Sequence, residues 1–310
     1  MTCEIKMFWS QALALGIGTS MGLTGNAISI VVWKRVLKSS DLNESLTNWL
    51  ITSAVCNIGL LLSFLLKSAI RSTNLIHKDT PFTAAIFSWC GYPFFSFFVV
   101  ASVWLSIGVT IKAFLLRISP VNIDARNRTK KVIAMLLLFS LLVNVPSFFV
   151  YHSKEKEGMH VLALTTYGES QNSIQYKDWF CYICVIWPPW IALVFIVVFI
   201  LNLLNRKPIT SKCQKGPLSL DSNDRPLCCV DSLLSPTSTP LITLLIWQGI
   251  MYGWWIFKGK IEVQKEAHFK LDLTAFITYG VISHSATNWL CYFVTSNLFE
   301  KEVRTIFRLK

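Results

Sequence analysis

Seven long apolar runs set the limits on what this chain can become. They cover residues 8–33, 46–70, 82–116, 131–151, 179–204, 240–258 and 271–296. A helix needs about 20 consecutive apolar residues to cross the hydrocarbon core of a bilayer. Six of the runs reach that length comfortably, and the run at 240–258 is marginal. A backbone facing lipid must pair its own N–H and C=O groups, so the runs are expected as helices. They are too long for barrel strands, which need about 9–11 residues. The composition agrees: 53% of the 310 residues are hydrophobic, 15% are charged, and the mean hydropathy is +0.50. A soluble domain carries about 25% charged residues. The expected fold class is all-α membrane: one seven-transmembrane helix bundle, residues 1–310, with a short amphipathic C-terminal surface helix.

That surface helix is read at 298–308, in "LFEKEVRTIF" and its flank. Phe299, Val303, Ile306 and Phe307 alternate there with Glu300, Lys301, Glu302 and Arg304. Such a helix lies in the interface plane, and the apolar side chains are expected to enter the inner leaflet. The first run spans 26 residues and continues into "VVWKR", so it reads as a retained helix rather than a cleaved signal.

Charge fixes the predicted orientation. Counted with the run ends that flank them, the segments after runs 1, 3 and 5 and the tail hold seventeen of the 29 Lys and Arg residues, against eleven on the opposite side. Basic residues collect on the cytoplasmic side. The chain is therefore expected in the cell membrane, multi-pass, with an extracellular N-terminus and a cytoplasmic C-terminus. The net charge of +12 then reflects topology and contact with anionic inner-leaflet lipid. It gives no ground for nucleic acid binding, for which no motif is present.

Function classes narrow further. The chain has no Gly-rich phosphate loop and no His-Glu-x-x-His motif, and its Asp and Glu residues fall almost wholly between the runs. Neither catalytic residues nor a cofactor are expected, and no cysteine spacing matches a zinc site. A transporter would show charged residues within its spans or inverted repeats, which leaves a transporter-like protein as the third reading. Residues 206–239 carry Pro208, Pro217, Pro226 and Pro236 among many Ser and Asp, and read as a disordered cytoplasmic loop. Cys213, Cys228 and Cys229 lie in it, where disulfides are disfavoured. The sequons Asn43-Glu-Ser45 and Asn127-Arg-Thr129 map inside and are read as chance.

Short motifs fall in order along the runs. Run 1 holds "GLTGNAISI" with Asn26, and run 3 holds "YPFFSFFVVASVWLSIGVT". Run 4 ends in "VNVPSFFVYH", and run 5 has a proline pair followed by "LNLL". Run 7 holds "SATNWLCYF", followed by "LFEKEVRTIF". Together these resemble rhodopsin-like (class A) G-protein-coupled receptors, FMRFamide-type neuropeptide receptors in particular. The resemblance implies a receptor for a small extracellular peptide that signals through a heterotrimeric G protein and works by population shift between two packings.

It also implies site residues. The inner polar network is expected from Asn26, Asn57, Ser102, His284, Ser285, Asn288 and Tyr292, with interhelical hydrogen bonds alone as the alternative. The ligand pocket is expected from Gln248, Trp247, Tyr252, Phe94, Phe97 and Tyr279. Membrane-interface anchoring is the other reading of such aromatics, and the stronger one for Trp187 and Trp255. A disulfide from Cys90 to Cys181, or to Cys184 as the alternative, is implied, and no metal. The positions that face the G protein in that class fall on Lys112, Ala113 and Phe114.

Departures accompany the likeness. The family's span-3 arginine is Ala113, its span-2 aspartate is Asn57, and Pro236 and Pro240 cut into the inner half of span 6. They keep open a non-signalling decoy or scaffold receptor as the alternative function.

Overall fold

The structure, a computed structural model, describes residues 3–39, 44–76, 86–118, 126–156, 159–173, 176, 181–188, 190–192, 194–195, 281–294 and 296–307. Helices dominate. In chain order they are α1 (Cys3–Ser39), α2 (Glu44–Ile76), α3 (Tyr92–Ile118) and α4 (Arg126–Val143). A short α5 (Thr166–Glu169) follows, then α6 (281–294) and α7 (Asn297–Phe307). A π-helical turn, Phe87–Gly91, leads into α3, and another covers Cys181–Ile186.

Among the described residues, three helical stretches are long and apolar enough to cross a membrane: Glu44–Leu66, Ser88–Ala113 and Arg128–Phe149. They fall on the second, third and fourth apolar runs. Ile183–Ala192 is a shorter apolar helix on the fifth run. The run at 240–258 lies outside the described residues, as do loop 206–239 and half of run 5.

α2 packs on α1 and α3, which makes it the centre of the described bundle, and α4 packs on α3. One core cluster lies toward the α7 end and joins Trp33, Leu46, Trp49, Leu50, Leu105 and Phe299. The other joins Leu60, Leu61, Phe64, Phe95, Val100 and Val281. The apolar side chains that remain exposed, such as Met135 on α4 and Val55 on α2, sit on the outer faces that a bilayer would cover.

The end of α4 shows how sequence becomes shape. Pro146 has no N–H to continue the ladder, and the chain tightens into a 3-10 turn, Val145–Phe149. Carbonyls freed by the break acquire other donors. The Asn144 amide donates to Ser140 O at 2.7 Å, and the Tyr176 hydroxyl donates to Val143 O. Thr165 Oγ1 donates to Phe149 O at 2.5 Å.

The segment after the break differs from expectation. Residues 152–178 read as a loop of mixed charge, yet Tyr151–Lys156 and Met159–Leu164 form an antiparallel hairpin, with Tyr151 opposite Leu164 and Lys156 opposite Met159. Alternation is weak in the first strand, whose polar Ser153, Lys154, Glu155 and Lys156 hid the pairing.

Candidate functional site

The site begins with close approach of α1 to α6. A Cβ on Gly22 would lie 2.7 Å from the Ala286 backbone, and one on Gly25 would lie 2.1 Å from the Trp289 ring. Only glycine at these two positions lets the helices meet so closely. The contact brings buried Asn26 to α6, where its amide nitrogen donates to Ser285 O at 2.9 Å as well as to Gly22 O at 2.8 Å.

Asn26 then links to α2. Asn57 Nδ2 donates to Asn26 Oδ1 at 3.3 Å, and Asn57 Oδ1 accepts from Ser285 Oγ at 3.1 Å. Asn26, Asn57 and Ser285, each from a different apolar run, form a closed ring. All three are buried. Polar groups at this depth need partners because no solvent replaces a lost bond, and the ring supplies them.

A second link joins α3 to α6. Ser106 Oγ donates its one proton to Ser102 O at 2.8 Å. The His284 Nε2 that lies 3.0 Å from Ser106 Oγ must therefore be the donor in that pair. Ser102 and Ser53 are also buried, and among the described residues their hydroxyls have no hydrogen-bond partner. Ordered water usually fills such positions.

Asn288 and Tyr292 continue the same face of α6. Tyr292 turns into an aromatic triangle with Trp33 and Phe299, at ring-centroid distances of 5.6 Å and 5.8 Å. This triangle corrects the expectation for α7. Phe299 and Val303 face the protein rather than lipid, because Trp33, Val36 and Tyr292 form an apolar shelf beneath them. Phe307 is the member of that set left exposed. Polar Lys301 and Arg304 face away, and Arg304 pairs with Glu300 at 2.8 Å.

The other expected sites come together less. Phe94 is exposed and stacks edge-on against Phe148 at 6.3 Å, so it leans toward the α4 break. Phe97 packs on Phe98 at 4.9 Å. Gln248, Trp247, Tyr252, Trp255 and Tyr279 lie outside the described residues. Trp187 is exposed. Cys90 is an exposed free thiol, and the Cys181 side chain lies outside the described residues. Ala113 is fully buried in the core cluster, Lys112 is half-buried beside it, and the Phe114 side chain is not described.

Sequence reasoning missed Ser106, Ser53 and Trp33. Ser106 follows Ser102 by one helical turn on the same face, a spacing that was legible. Trp33 at the end of its run reads as an interface anchor, and only the position of α7 turns it inward.

No protein-family model matches the chain, and no curated protein matches it.

Proposed function

We propose that this chain is a seven-span receptor of the rhodopsin-like class, with an extracellular N-terminus and a cytoplasmic C-terminus, that binds a small peptide from outside and couples to a heterotrimeric G protein. One observation carries the reading. The ring of Asn26, Asn57 and Ser285 draws together three runs at the positions where the resemblance puts the inner polar network. A hydrogen-bonded core of this kind has discrete arrangements, which is what a two-state receptor needs. With an amide at 57 in place of a carboxylate, the ring is neutral.

The test uses the full chain in cells. Short amidated peptides with aromatic residues are screened for nucleotide exchange on a panel of Gα subunits, and Gln248→Ala is the pocket variant. A peptide that drives exchange in the parent chain but not in the variant supports the reading. Failure of every peptide to bind overturns it.

A second reading has its own observation. Ala113 occupies the place of the family's arginine and is fully buried without charge or donor. Saturable peptide binding with no exchange on any Gα subunit selects the non-signalling receptor.

A further inference from the structure

α4 is the most open of the three membrane-length stretches: 22% of the Arg128–Phe149 window is buried inside the protein, against 50% and 56% for the other two. Its open side is ordered. Arg128, Lys131, Met135, Leu138 and Leu142 follow at alternating steps of three and four, so they form one stripe along the helix. All five are exposed, with Met135, Leu138 and Leu142 at 69%, 55% and 60%.

The stripe changes character along its length. It begins with two cations, and exposed Lys130 lies beside them. The first turn of α4 carries no acidic residue, so these cations stand at the positive end of the helix dipole. A bond of 2.5 Å between Ser45 and Thr129 brings the start of α2, with Glu44, to this end. Beyond Lys131 the stripe is apolar through Leu142, about 16 Å at 1.5 Å per residue. Half of a hydrocarbon core of about 30 Å is nearly the same length.

We infer that this stripe is a binding site for one anionic glycerophospholipid of the inner leaflet, with the headgroup phosphate on Arg128, Lys130 and Lys131 and an acyl chain along Met135, Leu138 and Leu142. Charge complementarity selects the anionic headgroup, because three exposed cations, Arg128, Lys130 and Lys131, stand together at this end of the stripe. The length of the apolar stripe selects a lipid over a soluble phosphate. The placement in the inner leaflet rests on the topology proposed above. The binding test does not, so the two fail separately.

The purified full chain in detergent is given equal phosphatidylserine and phosphatidylcholine with the same acyl chains, and retained lipid is counted by native mass spectrometry. The parent chain should retain phosphatidylserine about tenfold over phosphatidylcholine. Arg128→Gln with Lys131→Gln should reduce that preference to about twofold or less. Met135→Ser with Leu138→Ser should weaken retention of both lipids. Lys34→Gln with Lys38→Gln, which removes exposed cations of α1, should leave the preference intact. All the substituted side chains are exposed, so folding is spared. Equal retention of the two lipids by the parent chain overturns the inference. So does an unchanged preference in the Arg128/Lys131 variant, or displacement of the lipid by millimolar inorganic phosphate with no effect from the Met135/Leu138 changes.

Discussion

Trp33 and Phe299 lie with ring centroids 5.3 Å apart, and both are fully buried, so the C-terminal end of α1 and helix α7 share one packing unit. Tyr292 closes the triangle from α6. The helix that follows the last apolar run is therefore held by protein contacts on one face.

Phe299→Ala removes the ring at the centre of that unit. Truncation of a buried Phe costs about 3–5 kcal/mol, and the loss here should fall in that range. Thermal unfolding in detergent should show the midpoint drop, and protease should cut α7 faster than in the parent chain. A helix anchored only by lipid would show no such change in detergent, where the Phe307→Ala variant serves as the comparison.

Gly25 tests the α1–α6 contact. A side chain there meets the Trp289 ring, a rigid group that cannot swing clear as a flexible chain would. Gly25→Val should destabilise the bundle by about 1–3 kcal/mol through overpacking. It should also part Asn26 from Ser285, which hydrogen exchange at the Asn26 side-chain amide would report. Gly16→Val, a control where a Cβ meets nothing within 4 Å, should leave both readouts unchanged.

Tyr176 gives a pH signature. Its hydroxyl donates to the carbonyl of Val143 at the α4 break, and burial pushes its pKa up from 10.0 to about 12, with Cys184 and Tyr167 adding to the rise. The folded chain thus keeps its proton where the unfolded chain has lost it. The resulting stabilisation is fully present below pH 10.0 and is lost as pH rises from 10.0 to about 12. A pH series of thermal midpoints should show an alkaline decline over that window, and Tyr176→Phe should flatten it. An identical decline in the variant would assign the effect to other groups.

What the sequence disclosed follows from which signals are local. Apolar length located the spans at 46–70, 82–116 and 131–151, within a few residues of the observed helical stretches, because hydrocarbon thickness is a one-dimensional constraint. Asn26, Asn57 and Ser285 could be grouped because polar residues are rare at depth and must find one another. The direction of Phe299 was not legible, since lipid and a protein shelf attract the same apolar face. The hairpin escaped for a related reason: its pairing depends on a partner strand and not on its own polar pattern.

Ala113 sits where the resembling receptors carry an arginine that meets the G protein, so replacing it is the natural attempt to restore coupling. The structure predicts a different result. Ala113 is fully buried in the cluster that also holds Val109 and Ile133. No Asp or Glu occurs within 82–116, 46–70 or 131–151, so a guanidinium at this position finds no carboxylate on those runs. A buried charge without a partner costs several kcal/mol after relaxation. Ala113→Arg should therefore lower the thermal midpoint sharply, and Ala113→Leu, which adds volume without charge, should lower it less. Nucleotide exchange on the Gα panel should not rise in Ala113→Arg above that of the parent chain. If Ala113→Arg keeps the parent midpoint and gains exchange, residue 113 opens to an inner cavity in the working state. The non-signalling reading would then fall with it.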